Sequence, residues 1–140
     1  MRKVIVAANW KMNHGIADSL KFITEFSRSA LPENVDIVIC PPSTSLYTLS
    51  VTLAEVKSVS LGAQNCHFET SGAFTGEIST DFIDELSCTY VLIGHSERRH
   101  IFKEDNELLA KKLNHVLKNT SITPIYLSLI HISEPTRHSD

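Results

Sequence analysis

Five short apolar runs, each followed by a polar or amphipathic stretch, constrain what this 140-residue chain can fold into. Val4–Ala8, Val35–Cys40, Val59–Ala63, Tyr90–Ile93 and Ile122–Ile125 are brief and rich in β-branched residues, so they read as strands. Between the first two, Ile16–Ala30 carries Ile16, Leu20, Ile23 and Phe26 at helical spacing. Pro41-Pro42 stops the second strand, and Ser43 predicts the cap of a helix running to about Val56. Ser79 or Thr80 predicts the cap of a short helix through Leu86. Asn106–Lys118 reads as an amphipathic helix with Leu108, Leu109, Leu113, Val116 and Leu117 on its apolar side. Strand–helix alternation with continuously apolar strands predicts a parallel sheet, covered on both faces and joined by right-handed crossovers. A spacing of roughly 25–30 residues per unit fits a (β/α)8 barrel or an open doubly wound sheet. No Gly-x-Gly-x-x-Gly follows the first strand, which disfavours dinucleotide binding.

Charge and composition exclude several classes. Thirteen basic against sixteen acidic residues leave a net charge of −3, which favours neither nucleic acid nor an anionic membrane as partner. A chain 42% hydrophobic and 21% charged is globular, and its length suits one domain. The longest apolar runs are too short to span a bilayer. Met1-Arg2-Lys3 leads straight into the first strand without a cleavage pattern, so a cytoplasmic location is expected. Cys40, Cys66 and Cys88 form no CxxC pair and lie in or after apolar stretches. They are expected to be buried free thiols, not zinc ligands or disulfides.

The candidate chemistry lies just beyond the strands, at the rim where parallel α/β folds place their sites. His95 follows Tyr90-Val-Leu-Ile-Gly94 and precedes a helix start. It is either a structural histidine or one poised to hand a proton to a reacting group, and positive backbone dipoles beside it would disfavour imidazolium. Asn9 and Lys11 follow the first strand. They are either a turn asparagine and a solvated lysine, or an amide donor and a fixed cation for an anionic ligand. Glu97, in the first turn after His95, either caps that helix or pairs with Lys11 across the rim. Gly72–Ser79 is a glycine-flanked loop carrying Phe74, which either docks on a partner or folds back on its own core. His95 and His100 have the wrong spacing for an HExxH metal site, and His14, His67 and His115 carry no motif.

Three long motifs then give a resemblance. Ala8-Asn-Trp-Lys-Met-Asn13, Gly72-Ala-Phe-Thr-Gly-Glu-Ile-Ser79 and Val91-Leu-Ile-Gly-His-Ser-Glu-Arg-Arg99 together resemble the triosephosphate isomerase family, with Cys40-Pro-Pro-Ser43 and Gly62-Ala-Gln-Asn65 in agreement. The likeness runs from the first residue to about Ile125. It implies a truncated (β/α)8 barrel of about four βα units and the start of a fifth strand. It also implies a homodimer that interconverts dihydroxyacetone phosphate and glyceraldehyde 3-phosphate, a glycolytic and gluconeogenic step, with no cofactor. On it, His95 and Lys11 are catalytic, Asn9 and Lys11 bind substrate, and Glu97 with the neighbouring Arg98 and Arg99 acts from behind them. Phe74 and Thr75 would enter a pocket of the second subunit, where Thr75 would support Asn9 and His95. The family's glutamate base, closing lid and glycine-rich phosphate loops would all follow the point where the likeness stops. The chain alone is therefore expected not to be competent. The alternative is a non-catalytic half-barrel that docks on a complete isomerase subunit.

The likeness stops abruptly. Where the family continues its fifth strand with Cys-[Val/Ile]-Gly-Glu, this chain has Tyr126-Leu127-Ser128-Leu129. Leu127–Arg137 matches, residue for residue, one reading frame of the mosaic-end adapter DNA used in transposon-based sequencing libraries. Residues 1–126 are accordingly expected to be barrel and residues 127–140 a non-native tail. A divergent native terminus or an alternatively spliced end is the other reading.

Overall fold

The computed structural model describes residues 3–128. The adapter-like segment therefore lies almost wholly outside the described residues. Five strands, β1 (Val4–Asn9), β2 (Val35–Cys40), β3 (Val59–Ala63), β4 (Tyr90–Ile93) and β5 (Thr123–Tyr126), pair in parallel in the order β1-β2-β3-β4-β5. Each strand thus lies beside its successor in sequence, as in one half of a (β/α)8 barrel. The register runs Val4 with Val35 and Asn9 with Cys40, then Leu92 with Ile125 and Ile93 with Tyr126. Helices α1 (Ile16–Phe26), α2 (Ser43–Thr52), α3 (Thr80–Glu85), α4 (Ser96–His100) and α5 (Asn106–Asn119) fill the connections.

Strand alternation divides the core in two. Ile37 and Ile39 of β2 point to the helices and join Leu46, Leu49, Leu61, Ile83, Leu109 and Val116 in the main cluster. Val38 and Cys40 point the other way and meet Leu92, with Tyr90, Ile125 and Leu127 packed against them. Gly62 leaves room on that second face: a Cβ there would stand 2.7 Å from the Cys40 sulfur and 3.2 Å from Val38. The first strand is different, because Val4, Ile5 and Val6 are all exposed. Its outer edge has no neighbour among the described strands.

Element ends follow local hydrogen bonding. The first helix stops at Phe26, short of Ala30, where Arg28 and Ser29 bond only three residues back and tighten the last turn. The second stops at Thr52, not Val56, for the same reason at Ala54 and Val56. Ser43 does not cap it: Pro42 occupies that position, and Ser43 is the first helical residue. Ser79 does cap α3, accepting the Asp81 N–H at 3.0 Å. Asp105 caps α5 through Leu108 N–H at 2.9 Å, which the pattern did not single out. Three apolar assignments need correction. Ile16 and Leu20 on α1 and Leu117 on α5 are exposed, whereas Lys112 and His115 lie buried on α5.

Candidate active site

The carboxyl ends of β1, β3 and β4 bring together the residues singled out from the sequence. Asn9 ends β1, and two residues on Lys11 takes a left-handed backbone with φ 56°. That conformation is unfavourable for a lysine. Two hydrogen bonds hold it: Asn9 Oδ1 accepts the Lys11 N–H at 2.9 Å, and Gln64 Nε2 donates to the Lys11 carbonyl at 2.8 Å. Gln64 also donates to the Cys40 carbonyl at 3.0 Å, so β3 anchors the loop after β1. The Asn9 oxygen being occupied, its NH2 group is left to donate to a ligand.

Across the rim, Lys11 Nζ lies 3.2 Å from Glu97 Oε2. His95 is the N-cap of α4, and its Nδ1 accepts the Glu97 N–H at 3.1 Å. An acceptor Nδ1 cannot carry a proton, so the neutral ring carries it on Nε2 and donates there. Gly94, just before it, has φ +83°, a region open to glycine. Asn9, Lys11, Gln64, Asn65, His95 and Glu97 line one cavity of about 320 Å³, with Met12, Leu46, Ile78 and Phe102 as its apolar wall. The arrangement offers a cation, an amide donor and an imidazole N–H converging on one space. That combination suits a small anionic ligand whose oxygen gains charge.

Behind the cavity lies a charged network of which the sequence singled out only Arg98. Glu104 Oε2 accepts from Arg98 Nε at 2.7 Å and from Lys112 Nζ at 2.8 Å. Lys112 also donates to Asn65 Oδ1 at 2.8 Å, which ties the network to the cavity wall. Burial would push the Glu104 carboxyl up, but hydrogen bonds from Lys112 and Arg98 outweigh it and hold it below the ordinary carboxylate range. Its other oxygen, Oε1, is buried without a hydrogen-bond partner. Spacing of eight residues between Glu104 and Lys112, across a helix cap, gave no motif to find.

The Gly72–Ser79 loop takes a middle course between the two readings of it. Phe74 packs on the His67 ring, with centroids 4.2 Å apart, yet remains 40% exposed. Thr75 is exposed beside it and does not line its own chain's cavity. Gly72, at φ +137°, lets the loop reverse where the Phe74 ring leaves no room for a side chain. Cys40, Cys66 and Cys88 are all buried free thiols, as expected. Among the described residues, no three His, Cys, Asp or Glu side chains gather as a metal ion would require. No described helix is long and apolar enough to cross a membrane.

Half of a parallel α/β barrel with polar side chains converging beyond its strand ends is the framework of a barrel enzyme. Comparison with known proteins narrows the class. The triosephosphate isomerase family model matches residues 4–126. The chain is 52% identical to the triosephosphate isomerase of Aquifex aeolicus over 114 residues, which cover 81% of this chain and 45% of that protein. It is 49% identical to the triosephosphate isomerase of Dictyoglomus thermophilum over 127 residues, covering 90% of this chain and 50% of that one. The chain therefore belongs to the triosephosphate isomerase family, and it spans about half the length of the curated relatives it matches.

Proposed function

We propose that the rim cavity is half of a triose phosphate isomerising site, with His95, Lys11 and Asn9 acting on the substrate. The reaction moves a proton between adjacent carbons through an enediolate-like state. It needs a base, donors at the oxygens that gain charge, and a grip on the phosphate. His95 supplies a neutral Nε2–H donor, the reading carried most directly by its Nδ1 acceptance of the Glu97 N–H. Lys11 supplies a fixed positive charge for the phosphate and the developing oxyanion. Asn9 donates its amide hydrogens to the same oxygens. Glu97 holds both from behind, through its N–H to His95 and its carboxylate to Lys11. The reaction proposed is interconversion of dihydroxyacetone phosphate and glyceraldehyde 3-phosphate, in the cytoplasm and with no cofactor.

The general base and the phosphate loops are proposed to belong to the other half of the barrel, so this chain does not turn over alone. A positioned base contributes roughly a hundred- to ten-thousand-fold in rate. The partly exposed Phe74, with Thr75 beside it, is proposed to seat in the rim cavity of a second subunit and form a homodimer. Residues 127–140 are proposed to be read from adapter DNA. One set of experiments covers these proposals. Chromosomal DNA past codon 126 is expected to diverge from the adapter and encode the remaining strands. The full-length product should isomerise triose phosphate in a coupled assay, and the 140-residue chain should not. In that product, His95→Gln is expected to lower kcat by about 10²–10⁴. Turnover by the short chain near that of the long one, or genomic DNA identical to the adapter, would sink the corresponding proposal.

A further inference from the structure

We infer that Arg99 is a positioning residue for His95, acting through the backbone of Gly94. Its guanidinium reaches four groups on three segments. Nε donates to the Gly94 carbonyl at 2.8 Å, and Nη1 donates to Asn106 Oδ1 at 3.0 Å. Nη2 donates to the Leu127 carbonyl at 2.9 Å and to the Tyr126 hydroxyl at 3.3 Å. The planar fork suits this task, since it satisfies several acceptors in fixed directions where an ammonium would satisfy them as a point charge. It also occupies the space beside Gly94. A Cβ there would stand 2.8 Å from Arg99 Nη2 and 2.6 Å from the Leu127 carbonyl oxygen.

The residue after Gly94 is His95, with φ −56° and ψ 142° as the N-cap of α4. Those torsions bring Nδ1 to the Glu97 N–H and so place the ring proton on Nε2. Arg99 fixes the carbonyl that immediately precedes them, and braces it against the ends of β5 and the start of α5. The contact just beyond β5 is to the main-chain carbonyl of Leu127. This inference deepens the isomerase reading, because a defined Nε2 donor is what that reading asks of His95.

The test needs no substrate. In the ¹⁵N-labelled 140-residue chain, long-range imidazole correlations should show the uncharged form of His95 as one tautomer, with bare Nδ1 and protonated Nε2. His95→Gln identifies the resonances. Arg99→Ala is expected to lower the ratio of that tautomer to the other about fivefold, the change one typical net hydrogen bond supports. Millimolar guanidinium should restore it, and Arg99→Lys should fall between. Asn106→Ala and Tyr126→Phe each remove one brace, and should shift the ratio in the same direction by less; they decide the matter if Arg99→Ala does not fold. Val116→Ala lowers stability from the main core and should leave the His95 signals unchanged. An unaltered His95 in the Arg99 or brace variants, or an equal change in Val116→Ala, overturns the inference. A chain that shows these shifts but whose full-length counterpart fails to isomerise triose phosphate overturns the isomerase reading and leaves the positioning role intact.

Discussion

Burial lifts the three thiols well above neutral pH: Cys40 and Cys66 to about 11 and Cys88 to about 12. The thiolate is the reacting form, so none should be modified by an aromatic disulfide reagent in the folded chain at neutral pH. All three should react once denaturant is added, a difference read by absorbance. Glu104 shifts the other way. Its folded carboxyl sits below the ordinary value of 4.5, so its ionisation stabilises the fold above that value. The contribution disappears as pH falls through the lower, folded value, and thermal melts should record the loss on acidification. Glu104→Gln should remove that acid dependence. It should also destabilise the chain by about 3–5 kcal/mol at neutral pH, because Lys112 is left buried without its counter-charge. The three rim residues were legible in the sequence because long motifs surround them. Arg99 was read only as a neighbour of Glu97 acting behind the rim, and Gln64 only as part of a quoted motif, because much of their work is done through main-chain carbonyls, and hydrogen bonds to backbone leave no pattern of residue types.

At the scale of the element, caps decide where helices begin. Ser79 and Asp105 each satisfy an N–H that the helix cannot. Asp105→Ala should cost about 1 kcal/mol, seen as a lower denaturation midpoint with an unchanged slope. The strands were read nearly residue for residue, since apolar runs bounded by proline, glycine or polar residues leave little latitude. Helix ends were read too long at Phe26 and Thr52 because apolar spacing continues past both, while the backbone has already tightened to three-residue turns. The α5 face was misjudged for another reason. Periodicity finds a buried stripe only when its residues are apolar, and here Lys112 bonds Glu104 and Asn65 while His115 bonds Thr80 and Asn119. Paired polar groups can be buried, but their pairing depends on residues distant in sequence.

At the scale of the molecule, the described residues form five strands where a closed (β/α)8 barrel has eight. The exposed Val4, Ile5 and Val6 lie on a strand whose outer edge is unpaired among the described strands. Such an edge templates association. Sedimentation velocity of the 140-residue chain should show concentration-dependent assembly, and Val6→Lys should reduce it, since a charge on an edge opposes pairing. An unchanged monomer at all concentrations would argue against this. The order β1-β2-β3-β4-β5 carries one more consequence. Among the described strands, none waits for a neighbour made much later. As the polypeptide emerges from the ribosome, each new strand finds its docking edge already synthesised, and the sheet can grow by addition at one side. In a complete (β/α)8 barrel, only the seam between the first strand and the eighth waits for the whole message to be translated.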